Sequence, residues 1–461
     1  MPSARLAELW ETQPAEPRTF EFIDIADWCR AAADVHDFAT NQRTWLPLFE
    51  PATVDSWVFS RKGTDPLGNV GSGSSVPSAA RTAGVRDALS WKRIRWQSGR
   101  SALDDFLARV SLNLGQSARD LMSGGARNSG SKVANLGPAY VVSSSLLVLV
   151  RSNLAITEGY GDARWARYQR MRWPKAHYFP ASVVGVDRRA WHRMRIKAFR
   201  IDDAEPLTVN KPCVYLTVRQ DDRNPYHWVL ETLPRLKCLD AVPELRKLPL
   251  LMSYPPTTFQ RAFLDWMGVK NEILVSNGRN VRCSDLIFPS IPAPPMLHPG
   301  AVAWLKEKIL AGHPQVPDQS RRRILISRRD STNGRRVTNE DELAGKLAMF
   351  GFERLTLAQM PPAEQVRAFR QAEIVVLPHG AAGTHLLFAP RDCCIVELQP
   401  SREPNSLFFV LSRMLELRYS VLFGQARNRR NDYYVDLDQL AALIRDLDAT
   451  LAAARTPLAR A

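Results

Sequence analysis

The chain of 461 residues is 45% hydrophobic and 24% charged, a composition typical of globular proteins, and its length indicates more than one domain. Its six cysteines form no CxxC pair, which argues against a zinc ribbon or dithiol motif, and its first residues lack the apolar core of a secretion signal. The net charge of +15 favours an anionic partner (a nucleotide, an acidic glycan, nucleic acid or a membrane surface), although an arginine-rich solvated surface explains it equally well.

We predict three parts along the chain. Residues 1–130 are poorly patterned and contain Gly- and Ser-rich loops, which indicates an irregular N-terminal extension. Four prolines in residues 290–299 indicate a linker between two α/β domains. The domains are then residues 131–298 and residues 299–461.

The first domain has one basic segment and several regular elements. Residues 164–200 combine arginines with aromatic residues, which fits either an anion-binding or base-stacking surface or an amphipathic surface whose aromatic residues are core. Apolar and amphipathic runs predict strands at 214–218, 248–254 and 273–276, and helices at 226–239 and 257–267.

The last third of the chain alternates strands and helices regularly. Such alternation predicts a parallel, doubly wound sheet, whose ligands bind at the carboxyl ends of its strands. Strands are expected at 323–327, 352–357, 374–377, 393–398 and 419–423, and helices at 339–350 (with Thr338 as cap), 361–372, 406–417 and 438–454.

Polar residues follow these strands where a ligand is expected. The turn His379-Gly380-Ala381-Ala382-Gly383 lies between a buried strand and a helix start, so its N–H groups and small side chains suit a phosphate. Ser327, Arg328, the pair Arg335-Arg336 and Asn339 follow another strand, and two arginine groups suit a diphosphate or belong to a basic surface loop. Glu397 ends a third strand, where it would accept from ribose hydroxyls or pair with an arginine.

A second cluster lies on the predicted helix 226–239. His227 and Glu231 are four residues apart, so they share one helix face, and a carboxylate can orient a histidine as a general base. An ordinary surface pair has the same spacing. Asp436 and Asp438 have the form of a DxD metal motif, but they precede an apolar-periodic helix and are interpreted as its cap.

Together these segments resemble the family-61 glycosyltransferases. The matching segments are NPYHWVLETLPRL (224–236), ILISRRDSTNGRRVTNEDEL (324–343), residues 351–390 around LPHGAAGTHLLFAP, and CCIVEL (393–398). The family pattern of Asn-x-x-His-Trp, Ser-Arg, Arg-x-x-Asn-Glu and His-Gly-Ala is present. Residues 382–385 depart from it.

The resemblance implies a GT-B-like fold, with two Rossmann-like doubly wound domains and a cleft between them. It implies inverting, metal-independent transfer from a nucleotide sugar, expected to be a UDP-sugar, to a glycan or lipid-linked glycan, with no other cofactor. His227, Glu231 and His379 would be catalytic, and Ser327, Arg328, Arg336, Asn339, Gly380–Gly383 and Glu397 would bind the donor. The acceptor-side domain would be residues 131–298 and the donor domain 299–461.

The wider expectation is a role in capsule or surface-polysaccharide synthesis. We expect a cytoplasmic protein and leave open a peripheral contact with an anionic membrane. Two rivals remain open: a pyruvyl-type transferase of surface glycans, and a basic nucleic-acid-binding module, which the His-Gly-Ala turn does not favour.

Overall fold

The computed structural model describes the chain in segments that form two compact units. Among the described residues, the first unit runs to Gly312 and the second starts at His313. The basic segment 164–200 lies outside the described residues, and the domain boundaries stay predictions. The described segments are residues 21–23, 45–49, 131–142, 147–151, 154–156, 205–217, 223–290, 297–314, 321–402, 404–405 and 407–455.

In the first unit, the described strands β1 to β12 form two six-stranded sheets. In chain order they are Glu21–Ile23, Trp45–Phe49, Ser131–Asn135, Ala139–Val142, Leu147–Arg151, Leu154–Ile156, Leu207–Val209, Cys213–Tyr215, Leu250–Met252, Ile273–Val275, Val281–Cys283 and Leu286–Pro289. The sheet orders are β1-β6-β5-β4-β11-β7 and β10-β9-β8-β12-β3-β2.

The first unit is thus not the single doubly wound sheet that was expected. Strands β8, β9, β10 and β12 are parallel, as in a doubly wound sheet, but β2 to β6 pair antiparallel with their neighbours in sequence or with β11 and β12. The short connections between β4, β5 and β6 explain the antiparallel pairing of these three strands, since only antiparallel strands can be joined by tight turns. Apolar side chains of both sheets, such as Val141 of β4 and Tyr215 of β8, share one core.

The helix predicted over 226–239 is a succession of different helical turns. It begins as α-helix Pro225–His227, continues as π-helix Trp228–Thr232 and 3-10 helix Leu233–Lys237, and ends as α-helix Cys238–Ala241. Pro234 lacks the N–H that an α-helix needs there, which favours the change to a tighter turn. The other helices described in this unit are the 3-10 helix Pro243–Lys247 and the α-helices Thr258–Trp266 and Pro299–Gly312.

Arg235 fastens this helical segment to the ends of two strands. Its guanidinium is buried and donates to the carbonyls of Pro289 (2.5 Å), Leu216 (2.7 Å) and Thr217 (3.1 Å). Burial lowers the pKa of Arg235 to about 10, so the group stays charged at neutral pH. The carbonyls extend β8 and β12, and the arginine therefore holds the helix across the carboxyl edge of the parallel strands.

The described residues of the second unit form one six-stranded sheet. Its strands β13 to β18 are Arg322–Ile326, Phe352–Leu355, Ala372–Pro378, Cys394–Pro400, Arg418–Ala426 and Tyr433–Tyr434. The order is β14-β13-β15-β16-β17-β18; the first five are parallel and β18 is antiparallel to β17. All five strands predicted from the sequence are confirmed, and β18 adds to them.

Helices cover both faces of this sheet. The α-helices Glu340–Ala348 and Leu437–Arg455 pack on one face in a core that includes Leu343 and Leu447. The α-helices Pro362–Arg370 and Leu407–Met414 contact the 3-10 helix Ala381–Phe388. The predicted doubly wound sheet is confirmed here. The chain turns from β14 back across β13 to β15, and ligands of such sheets bind where the strand order reverses, at the carboxyl ends of β13 and β15.

The helix Glu340–Ala348 begins differently from the prediction. Thr338 is not the cap of its helix, because Asn339 occupies that position and the hydroxyl of Thr338 donates to the carbonyl of Tyr433 (3.2 Å). In the part of the chain that the structure describes, no helix combines the length and apolar character needed to cross a bilayer.

Candidate donor site and acceptor-side pair

The turn after β13 holds Arg328 at the carboxyl edge of the second unit's sheet. Glu340 accepts from the hydroxyl of Ser327 (2.6 Å) and from the backbone N–H of Arg328 (3.3 Å). Nε of Arg328 donates to the carbonyl of Gly334 (3.2 Å). Ser327 thus shapes the turn through the buried carboxylate of Glu340. A direct contact between Ser327 and the nucleotide-sugar donor stays a prediction.

Gly380 makes room for the guanidinium of Arg328. A Cβ on Gly380 would collide with Nη1 of Arg328 and lie 2.9 Å from its Cζ. The backbone of Gly380 is extended, so the glycine matters here for the room it leaves and not for an unusual conformation; a larger residue would displace the end of the Arg328 side chain. Burial, and then the charge of Arg335, lowers the pKa of Arg328 to about 10, and the cation persists at neutral pH. The turns after β13 and β15 are therefore in contact at the point where the strand order reverses.

His379 is oriented by a buried carboxylate. Nδ1 of His379 lies 2.5 Å from Oε1 of Glu397, and the hydroxyl of Tyr419 donates to Oε2 of the same carboxylate. Glu397 has no exposed surface. Burial, and then the negative charge of Glu397, raises the pKa of Tyr419 well above 10, so the hydroxyl keeps its proton. Because both carboxylate oxygens are engaged inside the protein, this geometry argues against the ribose contact expected for Glu397.

The small residues that follow Gly380 differ from one another in their structural roles. The N–H of Gly383 donates to the carbonyl of Gly380 (2.9 Å), and a Cβ on Gly383 would lie 2.6 Å from the ring of Phe408. Ala381 and Ala382 are the first two residues of the 3-10 helix, whose first N–H groups cannot be bonded within the helix. These N–H groups are the ones that fit an anion.

Two other predicted donor residues contact neighbouring loops. The backbone N–H of Arg336 donates to Asp432 (2.9 Å), and its guanidinium donates to the same carboxylate (3.3 Å). The side-chain amide of Asn339 bonds both the carbonyl (2.8 Å) and the N–H (3.0 Å) of Val435. Both residues therefore fasten the segment before β14 to the segment around β18. Their expected contacts with the nucleotide-sugar donor stay predictions.

His227 and Glu231 form the predicted pair in the first unit. Nδ1 of His227 lies 2.9 Å from Oε2 of Glu231, and both side chains are largely buried. Glu231 lies in the π-helix and His227 directly precedes it, and π turns recur at functional sites. The carboxylate orients the imidazole, as the spacing predicted; a catalytic role stays a prediction.

The Asp436 motif caps a helix, as interpreted from the sequence. Oδ1 of Asp436 accepts from the N–H groups of Asp438 and Gln439, both at 3.0 Å. Among the described residues, no three His, Cys, Asp or Glu side chains are grouped to hold a metal ion.

The comparisons with known proteins agree with these motifs. Residues 226–396 match the family model described as Glycosyltransferase 61. This segment is a glycosyltransferase 61 domain. The domain includes His227, Arg328 and His379, whereas Glu397 and Tyr419 follow its end. The family resemblance noted from the motifs is thereby confirmed.

One similar curated protein is the EGF domain-specific O-linked N-acetylglucosamine transferase of Drosophila melanogaster. It is 37% identical over 110 residues, which are 23% of this chain and 21% of the relative. The chain thus matches about a fifth of the length of this relative, in keeping with a shared glycosyltransferase 61 domain.

Beside this domain's predicted donor site, sequence reasoning missed Tyr419, and of the pair Arg335-Arg336 it selected only Arg336. Tyr419 lies in an apolar strand, where no local pattern marks it as a partner of Glu397. Arg335 follows Asn333-Gly334, a dipeptide that marks a tight turn, and this signal pointed to an unusual backbone there.

Proposed function

We propose that the protein transfers a sugar from a nucleotide-sugar donor to a glycan or lipid-linked glycan, with inversion. The observation that carries the proposal is the contact between Arg328 and Gly380, beside His379, where the strand order of the second unit's sheet reverses. A partly buried cation, an oriented imidazole and the first N–H groups of a helix at one place suit a diphosphate.

The chemistry of such a transfer fits these groups. In an inverting displacement, a base removes the proton of the acceptor hydroxyl while the nucleoside diphosphate leaves from the opposite face of the sugar. Arg328 and the N–H groups of Ala381 and Ala382 would stabilise the charge that develops on the leaving group. Glu397 accepts from Nδ1–H of His379, so Nε2 donates to the diphosphate when the imidazole carries both of its protons.

The acceptor side and the cellular context are further parts of the proposal. His227, oriented by Glu231, is the candidate base. The net charge of +15 supports an anionic acceptor or a peripheral contact with an anionic membrane at the cytoplasmic face. A UDP-sugar donor, independence from metal, a GT-B arrangement and a role in capsule or surface-polysaccharide synthesis are proposed from the family resemblance.

Release of nucleoside diphosphate from a panel of nucleotide sugars, measured in EDTA, tests the function. We expect turnover of one of them, and Arg328→Ala should lower kcat by about 10²–10³, as removal of a preorganised donor does. Arg329→Ala is the matched control, because the exposed Arg329 pairs with Asp341 (2.6 Å). Turnover of phosphoenolpyruvate only, or steeply salt-dependent nucleic-acid binding without sugar transfer, would overturn the proposal.

A further inference from the structure

Arg335 has a backbone conformation that arginine rarely adopts. Its φ is 59°, in the left-handed region, and it follows Gly334 with a φ of 73°. A non-glycine residue held there costs about 1 kcal/mol or more and persists only where the surroundings impose it. Residues strained in this way cluster at active sites and at segments that hold a ligand.

Contacts with a second arginine-rich turn impose this conformation. The N–H of Arg335 donates to the carbonyl of Arg430 (3.0 Å), and a Cβ on Gly334 would collide with the same carbonyl. The carbonyl of Gly334 also accepts from Nε of Arg328. The turn that holds Arg335 therefore also holds Arg328.

The charge of Arg335 acts on the guanidinium of Arg328 more strongly than the nearby carboxylates of Asp330 and Asp432 do. Arg335 is the largest electrostatic influence on the guanidinium of Arg328 and, after burial, contributes to its lowered pKa. Within the described segments, neither guanidinium forms an ion pair, whereas the adjacent Arg329 and Arg336 pair with Asp341 and Asp432. Two neighbouring cations repel each other unless an anion of matching charge lies between them.

We propose that Arg335 binds the second phosphate of a diphosphate whose first phosphate contacts Arg328. This inference rests on the proposed function for the identity of the site, and it replaces Arg336 by Arg335 as the second cation. Two guanidinium groups on one turn match two linked phosphates, since each presents paired N–H donors.

The test compares inorganic pyrophosphate with inorganic phosphate by titration calorimetry in EDTA, which makes it independent of the nucleotide base. Arg335→Gly removes the side chain and relieves the backbone strain, and Arg335→Asn is a second variant that tolerates the same φ. Arg329→Ala again serves as the control for loss of one positive charge.

We expect the wild-type protein to prefer pyrophosphate over phosphate by about tenfold or more, as a charged hydrogen bond supplies. Both Arg335 variants should lose most of this preference while phosphate affinity changes little, and the control should keep it. No preference in the wild type, or an unchanged preference in both variants, overturns the inference.

The outcomes separate this inference from the proposed function. Loss of the pyrophosphate preference in the Arg335 variants, with no sugar transferred by the wild type, would support the site and contradict the transferase. Nucleotide-sugar turnover that Arg335→Gly leaves unchanged, with an unchanged pyrophosphate preference, would support the transferase and contradict the role of Arg335.

Discussion

At the scale of single residues, Glu397 decides how His379 is presented. A carboxylate without exposed surface is costly unless its oxygens are bonded, and here a histidine and a tyrosine bond one oxygen each. The two contacts leave the carboxylate no freedom to rotate. The imidazole is thereby held at a fixed angle, and Tyr419 contributes to this although it does not touch the imidazole.

Replacing Tyr419 by phenylalanine should change both stability and its dependence on pH. Loss of the hydroxyl leaves a buried carboxylate oxygen without its donor, which should lower the free energy of unfolding by about 1–3 kcal/mol at pH 8. The pKa of Tyr419 is raised in the folded state. The stabilising contribution of Tyr419 is therefore complete below its unfolded pKa, about 10, and is lost as pH rises toward the folded value.

Urea unfolding of both proteins between pH 8 and 11 checks this expectation. Above pH 10 the wild type should lose stability more steeply than Tyr419→Phe, by up to about 1.4 kcal/mol per pH unit. Other tyrosines, lysines and cysteines titrate in both proteins, so the difference between the two slopes reports on Tyr419. Equal slopes would show that the hydroxyl is not buried against a negative charge.

At the scale of elements, the segment 228–237 depends on its one buried cation. Arg235→Met keeps much of the side-chain volume but removes the donors to three carbonyls at the ends of β8 and β12. We expect the free energy of unfolding to fall by about 3 kcal/mol, because buried acceptors are left unbonded. The measurement is the urea midpoint at constant m-value.

Arg246→Met is the matched control for this change. Arg246 lies in the 3-10 helix Pro243–Lys247, and its side chain is 43% exposed and pairs with Asp240 (2.8 Å). Such a surface pair contributes about 0–1 kcal/mol. Similar midpoints for the two variants would mean that Arg235 does not fasten the helix to the sheet.

Elements were predictable where the local pattern alone decides them. β15 and β16 are apolar runs rich in β-branched residues, and a capping box of Thr257 and Gln260 starts the helix Thr258–Trp266. The helical turns in 228–237 were not predictable, since their form depends on Arg235, which donates to carbonyls at the ends of distant strands. Likewise, strand ends located Arg328, His379, Gly380 and the pair Arg335-Arg336. Tyr419 becomes relevant only through Glu397, and Arg335 is separated from Arg336 only by its contact with Arg430.

At the scale of the whole molecule, the two units need not unfold in one transition. A ligand that binds one unit should then raise the unfolding temperature of that unit alone. A nucleoside diphosphate at about 100 times its Kd stabilises the state that binds it by about 2.7 kcal/mol. Because the candidate donor residues lie in the second unit, we expect only the transition of that unit to shift in calorimetry, without added metal.

Arg328→Ala should abolish this shift while the other transition keeps its temperature. A shift that requires Mg²⁺ or Mn²⁺ would contradict metal independence, and a shift confined to the first unit would place the donor site there.

The second unit was largely predictable because five parallel strands follow one another along the chain. The first was less so, because β1 and β2 join its sheets from more than 80 residues before β3.

The three acceptors of Arg235 also have a consequence for the order in which the first unit folds. Two of them follow β8, but the third, Pro289, is 54 residues further along the chain than the arginine. Until β12 pairs with β8, the guanidinium has no complete set of partners and favours water. The helix that carries Trp228 should then dock late, after the barrier to folding, so its contacts govern how fast the native protein opens and hardly how fast it forms.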